Sequence, residues 1–188
     1  MRSDEELAVN AARGDASAFE ALILRYQRPL LNFAFRMLGD ADEAADAAQQ
    51  SFVQAYYHLP RAKLDLPFKP WIFRIARNQC IDRIRERRTI SLSAMSETDD
   101  EGAGVEFADH SPLPEDLAEQ NDLQQILTDA ISLLPERYRA VVSMRYVTDL
   151  TFAEIAIALN LSENTVKTFF QRAKAMLRAD LARKISAD

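Results

Sequence analysis

Cysteine is almost absent from the 188-residue chain: Cys80 stands alone. A single thiol excludes an intramolecular disulfide and suits a reducing cytoplasm, and at apolar spacing Cys80 reads as a small core residue. Glycine is scarce too, at four residues, and strand-like alternation is nearly missing. Apolar residues recur at helical spacing almost throughout, so the fold class is expected to be all-α. No apolar run approaches the ~18 residues that span a bilayer, and no signal-peptide pattern opens the chain, so no membrane insertion is expected. The two histidines, His58 and His110, have no ligand cluster around them. No metal and no cofactor are therefore expected. Nor is there a nucleophile–base pair or a phosphate loop, so the chain is not expected to be an enzyme.

Charge is the property that is present and unevenly spread. The net value of −6 looks wrong for a polyanion binder until it is divided along the sequence. Residues 1–60 hold five basic and nine acidic groups, and residues 61–88 hold nine basic and three acidic. Residues 89–120 contain no Lys or Arg but nine Asp or Glu, whereas 162–188 return to six basic and three acidic. Two positive segments are thus separated by an acidic one, a distribution that informs more than the total.

In chain order, Ser3 and Glu6 form a capping box for a short helix through Leu7, Ala8 and Ala11, closed by Gly14. Asp15 opens a longer pattern through Phe19, Leu22, Tyr26, Leu30, Phe33 and Met37, in which Pro29 is expected to kink or restart the helix. After Gly39, Asp40 caps a helix with Ala44, Ala48, Phe52, Ala55 and Leu59 toward a core. Asp42, Glu43 and Asp46 lie near its positive end, followed by neutral Gln49 and Gln50. That helix reads either as an ordinary amphipathic element or as a polar surface that docks on a basic partner. A loop from Pro60 to Pro67, containing Lys63, leads into a helix through Pro70. Along it Arg74, Arg77, Arg85 and Arg88 share a face with Asn78, interrupted by Ile81. With Phe68 and Trp71 beside the loop, the dense arginine favours nucleic-acid contact over a merely solvated face. Residues 89–120 turn to Ser, Asp, Glu, Gly and Pro and read as a mobile linker. The chain therefore divides into domains at 1–88 and 121–188.

Beyond the linker, Leu123, Ile126, Leu127, Ala130, Ile131 and Leu134 continue the helical period, and Pro135 starts a helix with Tyr138, Val141, Val142 and Tyr146 on one face. These support the stretch from Thr151 to Leu177. Thr151 with Glu154 is a second capping box, and Ser162 is a second N-cap shortly after it. Asn160 occupies the turn position usually given to glycine. Ile155, Leu159, Leu161, Val166 and Phe169 are spaced for burial, with small Ala156 at the helix crossing. The whole fits a helix-turn-helix, with the second helix in a major groove. Lys167, Thr168 and Gln171 are then candidates for base edges, Asn164 and Thr165 are further candidates for DNA contact at the helix start, and Arg172 is one for a phosphate.

Taken together these residues resemble the bacterial sigma factors of the extracytoplasmic-function group. DADEAADAAQQSF from Asp40 resembles the family's polymerase-docking helix, with Gln50 where the family usually has Glu. Phe68, Trp71 and RIARNQCIDRIRERR resemble its segment for promoter melting and −10 reading. LPERYRAVVSMRYVTDLTFAEIA with SENTVKTFFQRAKAML resembles its −35-reading domain, with Asn164 in place of a common glycine. The resemblance implies a cytoplasmic factor that binds core RNA polymerase through the β′ coiled coil and β flap. It also implies recognition of −35 and −10 promoter DNA and control by an anti-sigma factor. Asp42, Glu43, Asp46, Gln49 and Gln50 would dock on polymerase. Lys63, Phe68, Trp71, Arg74, Arg77, Asn78, Arg85 and Arg88 would handle the melted strand. The alternative is a helix-turn-helix regulator that works without polymerase, which would leave the first ninety residues without a role.

Overall fold

The computed structural model describes residues 2–62, 67–95 and 129–185, and every regular element among them is helical. Helix α1 (Asp4–Ala12) begins with the expected capping box: Ser3 Oγ accepts from the Glu6 amide at 3.1 Å, and Glu6 accepts from the Ser3 amide at 3.0 Å. Helix α2 (Ala16–Leu38) starts at Asp15, whose carboxylate accepts from the Ala18 amide, and ends at Gly39 with φ +74°. Hydrogen bonds from the Ser17 hydroxyl and that amide hold the Asp15 carboxyl below its usual pKa. Pro29 lies inside α2 and does not start a new helix, so of the two expected outcomes the restart does not occur. Its ring forfeits one backbone bond, but Tyr26, Leu30 and Phe33 are buried on either side of it, and their burial outweighs that loss.

Helix α3 (Ala41–His58) starts where Asp40 accepts from the Glu43 amide at 2.8 Å. A 3-10 turn at Leu59–Arg61 follows, and then the long α4 (Phe68–Met95). These four helices enclose one apolar body in which Leu22, Leu30, Phe33, Met37, Ile72 and Phe73 have no exposed surface. Phe33 and Phe73 meet edge to face at 5.6 Å, and Tyr26 lies 5.5 Å from Phe68. Asp4 accepts hydrogen bonds from both Arg25 and Tyr26, which pins α1 to α2. Burial, and then the bond to Asp4, raises the Tyr26 pKa. Cys80 is a buried free thiol, pushed up to about 12 by burial, in line with a core role.

Helix α4 passes residue 88, where a linker was expected to begin, and continues to Met95. The remainder of the expected linker, with His110, lies outside the described residues, as do Leu123, Ile126 and Leu127. Helical backbone is described again at 129–132, before α5 (Glu136–Val147), α6 (Phe152–Leu159) and α7 (Glu163–Ile185). Tyr138, Val141 and Val142 are buried as the spacing implies, but Tyr146 is 65% exposed against Phe170. The two groups of helices touch: α2 lies against α5, and α4 against α6.

The capping box at α6 is a place where stability can be tested. Thr151 Oγ1 accepts from the Glu154 amide at 3.2 Å, and Glu154 accepts from the Thr151 amide at 2.8 Å. Thr151→Ala is expected to cost about 1 kcal/mol, read as a lower midpoint in thermal unfolding, because a first-turn amide loses its acceptor. A cost near zero would mean that water replaces the cap.

Candidate nucleic-acid interface

Helices α6 and α7 form the helix-turn-helix. Asn160 takes φ +53°, and the Leu161 amide returns to the Ala156 carbonyl at 3.0 Å, which closes α6 and turns the chain. Ser162 Oγ then accepts from the Thr165 amide at 3.1 Å and starts α7. Val166, Phe170, Ala173 and Leu177 form the buried stripe of α7, at spacings of four, three and four. Phe169, expected in that stripe, is half-buried edge-on to Tyr138 at 5.4 Å, and Phe170 is the residue that packs against Phe152. Leu161, also expected inside, is 39% exposed, since the left-handed Asn160 swings it out of the turn. Two adjacent phenylalanines look equivalent in sequence, and a rotation of one residue decides between them.

The opposite face of α7 carries Asn164, Lys167, Thr168, Gln171 and Arg172, all exposed. Several already have partners. Lys167 Nζ lies 2.6 Å from Glu163 Oε1, and the Thr168 hydroxyl donates to the Asn164 carbonyl at 2.9 Å. Thr165 is only partly open and bonded to the Ser162 hydroxyl at 2.8 Å, so it serves the cap. The Arg172 guanidinium faces the Tyr138 hydroxyl and draws the tyrosine pKa down, with Arg137 adding to the effect. That geometry places Arg172 at the edge of the face, near the scaffold.

On α4, the arginines separate into two sets that sequence spacing only half reveals. Arg85 and Asn78 are exposed, whereas Arg74 and Arg77 are half-buried on the side away from α3, and Asn78 accepts from Arg77 Nη1 at 3.1 Å. Arg83 and Arg87 turn inward to α3, Arg83 reaching Asp46 at 3.9 Å and Arg87 Nε donating to Glu43 at 2.8 Å. Their role as a clamp is not visible in the sequence; it depends on where α3 lies. Glu43 is therefore occupied by an internal ion pair and half-buried, while Asp42, Gln49 and Gln50 are open. Asp46 is 70% exposed despite its long contact with Arg83.

Two further candidates have neighbours that the sequence does not reveal. Phe68 is 2% exposed beneath Trp71 and Tyr26, so it forms the floor of the loop and offers no face to a base. Trp71, half-buried, retains part of its ring surface. Arg88 pairs with Glu136 of α5 at 2.8 Å instead of standing free. Ile81, a flaw in the cationic stripe by sequence, is buried. Lys63 lies outside the described residues. No group of three potential metal ligands occurs among the described residues, and no described helix is long and apolar enough to cross a membrane.

Known proteins share this arrangement. Residues 22–90 match the family described as Sigma-70 region 2, and residues 124–177 the family described as Sigma-70, region 4. The chain is 32% identical over 171 residues to the ECF RNA polymerase sigma factor SigW of Bacillus subtilis, across 90% of this chain and 91% of that protein. It is 30% identical over 176 residues to the RNA polymerase sigma-H factor of Pseudomonas aeruginosa, across 93% and 91%. Among solved structures, CnrH in complex with the cytosolic domain of CnrY aligns with a TM-score of 0.69 at 25% identity, over 96% of this chain and 97% of that one. The sigma factor RpoE from Bartonella quintana, solved with the anti-sigma factor NepR, aligns with a TM-score of 0.67 at 20% identity, over 89% and 98%.

Proposed function

The chain belongs to the ECF group of RNA polymerase sigma factors, and from that premise we propose how its residues divide the work of promoter recognition. It binds core polymerase and directs promoter-specific initiation; a stand-alone regulator would leave α1–α4 without a task. As in the family at large, its role is DNA recognition and not a chemical step of its own. It acts where polymerase is, in the cytoplasm. The first domain, 1–88 extended by the rest of α4, carries docking and melting. The second, 121–188, carries −35 reading.

One observation carries the assignment within α7: Val166, Phe170 and Ala173 fasten one side to the scaffold, which leaves Lys167 and Gln171, one turn apart, on the open side. Ser162 caps the helix, so its positive end faces the groove. Lys167, Gln171 and Asn164 read base edges with Thr168 beside them, and Arg172 holds a phosphate. Melted DNA runs along Arg74, Arg77, Asn78 and Arg85, with Trp71 at its start and Lys63 in the preceding loop. Asp42, Asp46, Gln49 and Gln50 face the β′ coiled coil, with Gln50 supplying a neutral contact, and the β flap is met by the second domain. An anti-sigma factor is the expected antagonist, since CnrH and RpoE were each solved with a protein bound.

A −35 library selected with variant holoenzymes tests these roles. Lys167→Ala and Gln171→Ala are each expected to change the preferred −35 sequence, because removing a side chain that reads a base edge costs about 1–3 kcal/mol of discrimination. Arg172→Ala should weaken all −35 elements alike and flatten the salt dependence. A sequence shift from Arg172→Ala without one from the other two would mean that α7 meets the groove in another rotation.

A further inference from the structure

In the first turn of α5, outside the helix-turn-helix, exposed Arg137 lies over two aromatic rings. Its Cζ stands 4.8 Å from the centre of the Tyr138 ring and 5.9 Å from that of Phe169. The rings meet at 89° with their centres 5.4 Å apart, so they wall a corner that the guanidinium occupies. Rings hold a guanidinium through its face and leave its N–H edges to an anion. Phe169, half-buried beside the core stripe of α7, thereby gains a task as the second wall. Arg172 approaches from α7, and both guanidiniums face the one Tyr138 hydroxyl.

The corner gathers positive charge without answering it. Arg87, Arg88 and Lys167 each have a carboxylate in ion-pair range, at Glu43, Glu136 and Glu163. Arg139 and Arg145 are engaged by the carbonyls of Leu134 and Leu150. Among the described residues, no carboxylate stands in that range of Arg137 or Arg172. Two cations brought to one hydroxyl repel each other, and an anion between them reverses the sign of that interaction. A phosphodiester has two unesterified oxygens, one for each guanidinium fork.

We propose that Arg137 and Arg172 grip a single backbone phosphate of the −35 duplex, with the Tyr138 and Phe169 rings holding Arg137 in place. The site rests on the reading of α7 as the −35 helix and adds to it a contact from outside the helix-turn-helix. A phosphate held from two helices fixes the rotation of α7 about its own axis. It thereby sets which base edges Lys167 and Gln171 meet, although it reads none itself.

Holoenzyme binding to promoter duplex over a salt series tests the site. Arg137→Ala is expected to weaken binding roughly tenfold and to lower the salt slope by about one, with the preferred −35 sequence unchanged. Arg137→Lys should restore the slope but only part of the affinity, because it keeps the charge and loses the planar fork. Neutral methylphosphonates, substituted one at a time along the −35 backbone, then locate the contact. With the unaltered protein, one position is expected to cost roughly tenfold. The same position should cost about threefold or less in Arg137→Ala and in Arg172→Ala alike. Different silenced positions in the two variants would mean two phosphates and overturn the shared site. Loss of affinity with an unchanged salt slope would make Arg137 a folding residue and overturn it too. No loss from Arg137→Ala, beside a clear loss from Arg172→Ala, would overturn the site and spare the reading of α7. No loss from either would overturn both.

Discussion

Replacing Arg74 and Arg77 together by alanine is expected to slow open-complex formation by on the order of a hundredfold, about tenfold for each charged contact to phosphate. Affinity for core polymerase should stay within about twofold. Both side chains leave α4 on the side away from α3, so neither contributes to the proposed docking surface at Asp42, Gln49 and Gln50. Among the described residues neither makes an ion pair that the substitution would disrupt; Arg77 only donates to exposed Asn78. Stopped-flow detection of melting on a duplex promoter, beside a core-binding titration, separates the effects. Equal losses in both would make the stripe a docking or folding surface.

The other large effect is structural. Ile155 has no exposed surface and lies in α6, where it joins the buried stripe of α7. Ile155→Ala is expected to destabilise the C-terminal helices by about 2–5 kcal/mol, the transfer term plus a cavity that α6 and α7 cannot fully close. Hydrogen exchange should locate the weakening in α5–α7, with much smaller change in α1–α3. Transcription from promoters that depend on a −35 element should fall as the temperature rises, while core binding persists. A destabilisation below about 1 kcal/mol would mean that α6 is held by its packing on α4 more than by α7.

The local rules are legible in the sequence. Ser3, Asp15, Asp40, Thr151 and Ser162 all cap the helices assigned to them, because a cap needs only an acceptor three residues from an amide. Asn160 likewise declares its left-handed turn. What stays hidden depends on neighbours distant in sequence. Arg83 and Arg87 have the same composition signal as Arg85 and Arg88, and only the position of α3 separates clamp from stripe. The ion pair of Glu43 is hidden for the same reason: its partner lies 44 positions away. Phe68 has the sequence setting of an aromatic platform, although an aromatic next to a loop is as easily its floor. Ile81 spoils the stripe only if the stripe faces nothing but water, whereas another helix covers part of it. The choice between Phe169 and Phe170 turns on the angle at which α7 leaves its cap.

The Glu163–Lys167 pair at the start of α7 has a consequence for life on a crowded chromosome. A sequence-reading protein faces roughly millions of base pairs of irrelevant duplex, and a bare lysine at the groove would bind much of it by ejecting counterions. Here the charge is already answered on the same helix, and the chain as a whole is negative. Bulk DNA therefore gains little by holding the free protein, which is left to find polymerase first. On the proposed reading of α7, the lysine would exchange its carboxylate for a base edge at a matching sequence, a trade that random sequence cannot offer.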